Sequence, residues 1–300
     1  MKINCYPVDW QHTWQMHLAE LQSQFPQARI YALIEGVMNE TCYPFLQRSG
    51  QLPFHALYSN TPSADQETLC ISPLLVEYKE SARHIWKSLL KKTDGLPALS
   101  LIVTPESLAQ LAERLTPWCI VDAAGQTLAL SFADTRILPE LFKVLNREQL
   151  AQICGPTVQW QYLTRTAEWQ ALPLPDMATP HPASTQAVSL NDEQCAQLMT
   201  ASEADNVLFQ LRRSASNLVD CHTPARAHEL VQYWLNCANH AQMETAPERF
   251  TLCQLGLEHP HLADSQLVNA WLAEASQPCA YETLHARWAA SDSQSASAIA

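Results

Sequence analysis

Ser131-Phe132-Ala133-Asp134-Thr135-Arg136-Ile137-Leu138 describes a strand running into a helix. Leu128 to Phe132 is a short apolar strand, and Leu138, Leu141, Phe142 and Leu145 recur at helical spacing over 136–145. Between them an acid and a base stand two residues apart, placed to cap the helix N-terminus and to pin the corner by an ion pair. Cys154-Gly155-Pro156-Thr157-Val158-Gln159-Trp160 follows after a second helical stretch, 147–153, and leads into a strand at 158–163.

Upstream of the corner, strands and helices alternate. Asp9 stands before an amphipathic helix over 9–25, with Trp10, Trp14, Leu18, Leu21 and Phe25 at helical spacing and Pro26 as its stop. Residues 28–34, 54–58, 74–78, 99–103, 119–122 and 127–132 read as strands, the last two joined by a hairpin at Ala123-Ala124-Gly125-Gln126. Helices are expected near 42–48, over 81–92 before Gly95, and over 106–115 after Thr104-Pro105. Ser107 in that last start signal is better explained by helix initiation than as a nucleophile.

A composition break begins at Ala171-Leu172-Pro173-Leu174-Pro175 and continues to Ser189, with the Pro, Ala, Ser and Thr content of a linker. Beyond it the pattern is helical: Leu198, Met199, Leu208 and Leu211; then Leu230, Val231, Trp234, Leu235 and Ala238 after Thr223-Pro224; then Leu267, Val268, Trp271 and Leu272; then Tyr281, Leu284 and Trp288. No internal repeat is visible. The expected fold is an α/β (α+β) N-terminal lobe, with a mostly mixed sheet flanked by helices, and an all-α C-terminal lobe. The expected divisions are 1–170, a linker at 171–189, a helical lobe at 190–290 and a disordered tail at 291–300.

The 300 residues carry a net charge of -12, unevenly spread. Residues 1–170 hold 13 Lys/Arg against 16 Asp/Glu, and residues 171–300 hold 5 against 14. So acidic a second half repels phosphate backbones and anionic lipid, so neither nucleic acid nor membrane is an expected partner. Residues 1–10 have no signal-peptide pattern, and no apolar run reaches the ~20 residues of a spanning helix. The ten cysteines are scattered singly, with no Cys-x-x-Cys pair, and read as small buried hydrophobes. A reducing cytoplasmic setting follows as the expectation.

Catalytic constellations are scarce. Cys237-x-x-His240 is the one closely spaced pair with ligand spacing, with Cys253, His259, His261 and the Cys221-His222 step nearby, whereas zinc sites usually need two such pairs. No Gly-x-Ser-x-Gly elbow or phosphate-cradling glycine loop occurs, and the chain has only six glycines. Cys154 lies at a helix C-terminus, which raises a thiol pKa and works against reactivity. No enzyme, metal or cofactor is expected. Most tryptophans on helical faces read as core, while Trp160 and Trp169, flanking the end of the first lobe, are candidates for a domain-closing or partner-facing surface.

Four segments in order resemble the DUF4123 family. Tyr31-Ala32-Leu33-Ile34-Glu35-Gly36 is similar to its opening strand, with Glu35 for the usual Asp. Ser72-Pro73-Leu74-Leu75-Val76 resembles its Gly-Pro-x-Leu-Val strand. Phe132 to Leu138 resembles its phenylalanine-tyrosine-Asp-Pro-Arg-valine-leucine signature, keeping Asp134 and Arg136 while Ala133 and Thr135 replace Tyr and Pro. Cys154-Gly155-Pro156 with Trp160 resembles its Phe-Gly-Pro and trailing tryptophan, Cys154 replacing Phe. The resemblance covers about 28–165.

It implies a cytoplasmic chaperone of the bacterial type VI secretion system. Such an adaptor holds a toxic effector, by an N-terminal or transmembrane-like segment, and loads it onto the C-terminal region of the VgrG spike. The candidate residues for a structural corner or a partner contact are Asp134, Arg136, Ile137, Gly155, Pro156 and Trp160 from these motifs, together with Trp169 from the end of the first lobe. Two other classes stay open: an immunity-type protein masking a toxin, and a thiol or metal-dependent hydrolase using Cys237 and His240.

Overall fold

The central strand, β1 (Arg29–Ile34), is buried along all but its first residue, so both its faces must find apolar partners. Ile30, Ala32 and Ile34 enter one core, Tyr31 and Leu33 the other. A computed structural model describes residues 2–61, 64–123, 125–175, 188–260 and position 286. In it β1 lies between β3 (Leu74–Glu77) and β4 (Leu99–Thr104). β2 (Phe54–Ala56) extends the sheet beyond β3, and β7 (Gln159–Leu163) with β8 (Trp169–Ala171) beyond β4. Every pairing in this six-stranded sheet is antiparallel. The expected mixed sheet is therefore realised only in a second, three-stranded one: β5 (Ile120–Ala123) pairs antiparallel with β6 (Gln126–Ala129) and parallel with β9 (Val188–Leu190).

Helices cover both faces of the large sheet. On the first lie α1 (Trp10–Gln24), α2 (Cys42–Ser49) and α4 (Arg83–Thr93), contributing Trp10, Trp14, Leu18, Leu46, Trp86 and Leu89. α3 (Gln66–Ile71), a single turn and a half before β3, buries no residue. On the second face lie α5 (Leu108–Leu115), α6 (Leu138–Val144) and α7 (Arg147–Cys154), with Leu111, Leu115, Leu141, Phe142 and Ile153. Ser107 is the N-cap of α5: its hydroxyl accepts from the Gln110 N–H, and the Gln110 side chain accepts from the Ser107 N–H, a capping box. Asp9, by contrast, precedes α1 without a side-chain cap bond.

The chain divides into two compact units, Met1–Ala201 and Ser202–Ala300, rather than at the expected 189/190. Three contacts draw the segment after residue 171 into the first unit. Leu172 and Leu174 pack on the second core, β9 returns to pair with β5, and α8 (Asp192–Ala201) places Cys195 and Leu198 there. Leu198 and Leu208, expected on one helix, thus lie on separate helices in separate units, and Met199 is exposed. Residues 176–187 of the expected linker, the tail 291–300 and the expected helix at 267–272 lie outside the described residues, as does all of 281–288 except position 286.

The described part of the second unit is helical: α9 (Glu203–Ser214), α10 (Ser216–Asp220), α11 (Pro224–His240) and α12 (Ala246–Glu258). They enclose Leu211, Leu230, Val231, Trp234, Leu252 and Cys253. Thr223 caps α11 ahead of Pro224, as its sequence signals. Arg249 and Glu203 form a bidentate pair at 2.6 and 2.7 Å that ties α12 to α9. No helix among the described residues is long and apolar enough to cross a membrane.

Candidate functional site

The chain leaves β6, returns past Cys119 through the Leu130 N–H to Cys119 carbonyl bond, and turns at Asp134. Asp134 Oδ1 accepts from the Arg136 backbone N–H at 2.9 Å and from its Nε at 3.0 Å, and Oδ2 accepts from Nη2 at 2.5 Å. Both side chains are buried. The acid therefore closes a tight turn on the residue two positions on, an arrangement to which short acidic side chains are suited, instead of capping α6. The N-cap of α6 is Ile137, half-buried and without a side-chain bond; the Asp134 carbonyl accepts from the N–H groups of Ile137 and Leu138.

This corner is tied to the centre of the large sheet. The Thr135 N–H donates to the Pro97 carbonyl at 3.0 Å, and the Glu35 N–H donates to the Ala98 carbonyl, next along the chain, at 2.9 Å. Glu35, the last residue before Gly36, is 2% exposed, and its Oε2 has no hydrogen-bond partner. Burial pushes its carboxyl up to about 8, with the nearby Asp134 charge adding to the rise; a bond from the Val37 N–H opposes it. The ion pair is thus accompanied by a second carboxyl group that the fold holds close to neutral. Gly36 packs so tightly on the start of β3 that a Cβ there would overlap the Ser72 carbonyl oxygen. The first and second motif segments are therefore in backbone contact.

A second buried cation supports the last motif. Arg114 of α5 donates to Glu106 through Nε at 2.9 Å and Nη2 at 2.5 Å, to Thr157 Oγ1 at 3.0 Å and to the Ile153 carbonyl. Its guanidinium occupies the space beside Gly155, where an added Cβ would lie 2.6 Å from Nε, and Gly155 has φ +48. Any side chain at 155 would be both strained and in collision. The sequence reading missed Arg114. Its signal was the conjunction of an arginine beside the Leu111–Leu115 stripe with a glycine closing α7.

The other singled-out residues separate. Pro156 is half-buried beside Gly155. Trp160 is fully buried in the second core, its indole N–H donating to Ser100 Oγ at 3.2 Å, so it offers no partner-facing surface. Trp169 is half-buried on the opposite face, stacked on Trp10 and His17 with centroids 5.9 and 5.3 Å away. Asp134, Arg136, Gly155 and Trp160 thus sit in the interior, and the motifs specify a scaffold.

Cys154, Cys237 and Cys253, considered for chemistry, are free and buried, and burial raises the Cys237 thiol. Burial pushes the thiols of Cys154 and Cys253 up to about 12, and Cys253 lies against the Val231 carbonyl at 3.9 Å. His222 bonds the Leu257 carbonyl at 3.2 Å. No group of three His, Cys, Asp or Glu placed to hold a metal ion occurs among the described residues.

No curated protein and no solved structure matches the chain. One family model does, that of a domain of unknown function, DUF4123. Its match runs over residues 30–152, from inside β1 to the last turn of α7, and takes in Glu35, Ser72, Asp134 and Arg136, so this stretch of the chain is similar to that family.

Proposed function

We propose that the chain is an effector adaptor of a bacterial type VI secretion system. It binds a toxic effector in the cytoplasm and loads it onto the C-terminal region of the VgrG spike, working by binding energy and catalysing no reaction. The observation that carries this reading is the DUF4123 match, a family known for type VI secretion effector adaptors. The burial of the motif side chains is in keeping with it: they hold a sheet and its helices in register and leave recognition to exposed helix faces and loops.

The test is co-purification. Tagged full-length chain, expressed with the spike and effector proteins encoded beside it, is expected to retain both through size-exclusion chromatography. Retention of neither would overturn the proposal. An effector that loses its toxic activity only when bound to this chain would instead assign a toxin-masking role.

A further inference from the structure

On the first face of the large sheet, α1 and α4 leave a groove between them. Two neighbouring cavities, of about 220 and 550 Å³, share Gln11, Lys87 and Leu90 as walls. The smaller has room for roughly seven waters at ~30 Å³ each. Its floor is aromatic: Trp14 and Trp86 have ring centroids 5.8 Å apart, and Tyr78 lies 5.7 Å from Trp86. Beyond it the run continues through Trp10 to Tyr6, at 6.4 and 4.2 Å. The indole N–H groups of Trp10, Trp14 and Trp86 have no hydrogen-bond partner, and Val8 is fully exposed at the mouth of the larger cavity. An aromatic floor of this kind carries interface energy.

The walls have a sign. Arg83, Lys87 and Lys91 recur every four residues along α4, one exposed cationic stripe with no acid anywhere in the helix. Like charges at that spacing repel. Arg83 is answered by Glu80, whereas Lys87 and Lys91 make no ion pair among the described residues. The facing wall of the smaller cavity on α1 is neutral, Gln11 and Gln15, and no carboxylate lines it, whereas the larger cavity, which Lys91 joins, also has Asp9 and Asp94 in its walls. In a chain of net charge -12 the smaller cavity, lined by Arg83 and Lys87, is a local inversion. It fits an anionic occupant with an apolar side chain to seat on the indoles.

We propose that the α1–α4 groove docks an acidic, amphipathic protein segment, whose apolar anchor seats in the smaller cavity over Trp14 and Trp86 and whose carboxylates face Lys87 and Lys91. The proposal goes beyond the adaptor reading and stands without it. Two synthetic 16-residue peptides test it by isothermal titration against the full chain. Both carry Leu or Phe at i, i+3, i+4 and i+7, with Glu at the remaining positions in one and Lys in the other.

The Glu peptide is expected to bind, and to bind more weakly as salt rises. The Lys87→Glu/Lys91→Glu variant should weaken it at least tenfold, while Lys143→Glu on α6, on the other face, leaves it unchanged. Both exchanged lysines are exposed, so the double variant should keep its melting temperature. Equal binding of the two peptides, no binding of the Glu peptide, or an unaffected double variant would each overturn the proposal. So would concentration-dependent dimerisation abolished by the double exchange, which would give the groove to a second copy.

Discussion

Replacing Glu35 by Gln probes the buried acid beside the corner. In the folded chain burial and Asp134 raise this carboxyl from 4.5 to about 8. The folded state therefore holds a proton that the unfolded state releases, and stability must fall as pH rises through the window from about 4.5 to about 8. Above that window both states are ionised and the dependence flattens; below it both are protonated and nothing is lost. At ~1.4 kcal/mol per pH unit, raising the pH from 5 to 7.5 removes about 3 kcal/mol. For a unit of this size that corresponds to a fall of roughly 6–12 °C in melting temperature.

Glutamine has no proton to lose, so this slope should vanish. It presents an amide where Oε2 has no partner, at a cost of about 1–3 kcal/mol. The variant is thus expected below the parent at pH 5 and level with it or above it at pH 8. His55, whose pKa burial lowers, contributes a dependence of opposite sign, but identically in both proteins, so it drops out of the difference. Urea unfolding followed by fluorescence at half-unit steps from pH 5 to 8.5 measures both curves. Parallel curves across that range would refute the reasoning, because they would mean that Glu35 titrates alike folded and unfolded.

Removing Arg136 leaves the Asp134 carboxylate buried beside Glu35, so Arg136→Ala should cost about 3–5 kcal/mol, with partial recovery when Asp134→Asn is added. Partner binding should fall in step with melting temperature; loss of binding at an unchanged melting temperature would place the pair in direct contact with a partner. Gly36→Ala forces a Cβ onto the Ser72 backbone and should cost at least ~1–3 kcal/mol, read as a lower melting temperature or a loss of folded yield. Ser107→Ala removes the capping box of α5 and should cost ~0.5–2 kcal/mol, a loss that thermal denaturation detects and that an unchanged melting temperature would contradict.

The sequence showed this architecture wherever local rules decide. β1 and β4 follow from apolar runs bounded by turn residues, and α5 from the Thr104-Pro105 start signal ahead of an apolar stripe. It failed where a decision was made at a distance. β9 is three residues from beyond the Pro-rich stretch, and only the open edge of β5 makes them a strand. Trp160 and Trp169 flank the same hairpin nine residues apart, yet β7 directs one into the second core while β8 directs the other toward α1. Alternation along a strand fixes that difference only once the register is known. The same limit applies to charge. Arg114 and Glu35 read as ordinary surface residues, and burial alone makes one a strut against Gly155 and the other a reluctant acid. Lys87 and Lys91 also read as surface, and are, but the indoles beside them turn a solvated stripe into the rim of a site. What the motifs encode is the interior; on the adaptor reading we propose, partner choice falls to exposed residues whose significance depends on which core face lies beneath them. A search for recognition residues in this domain should therefore begin at the helix faces above the first core, and not at the Asp134–Arg136 pair.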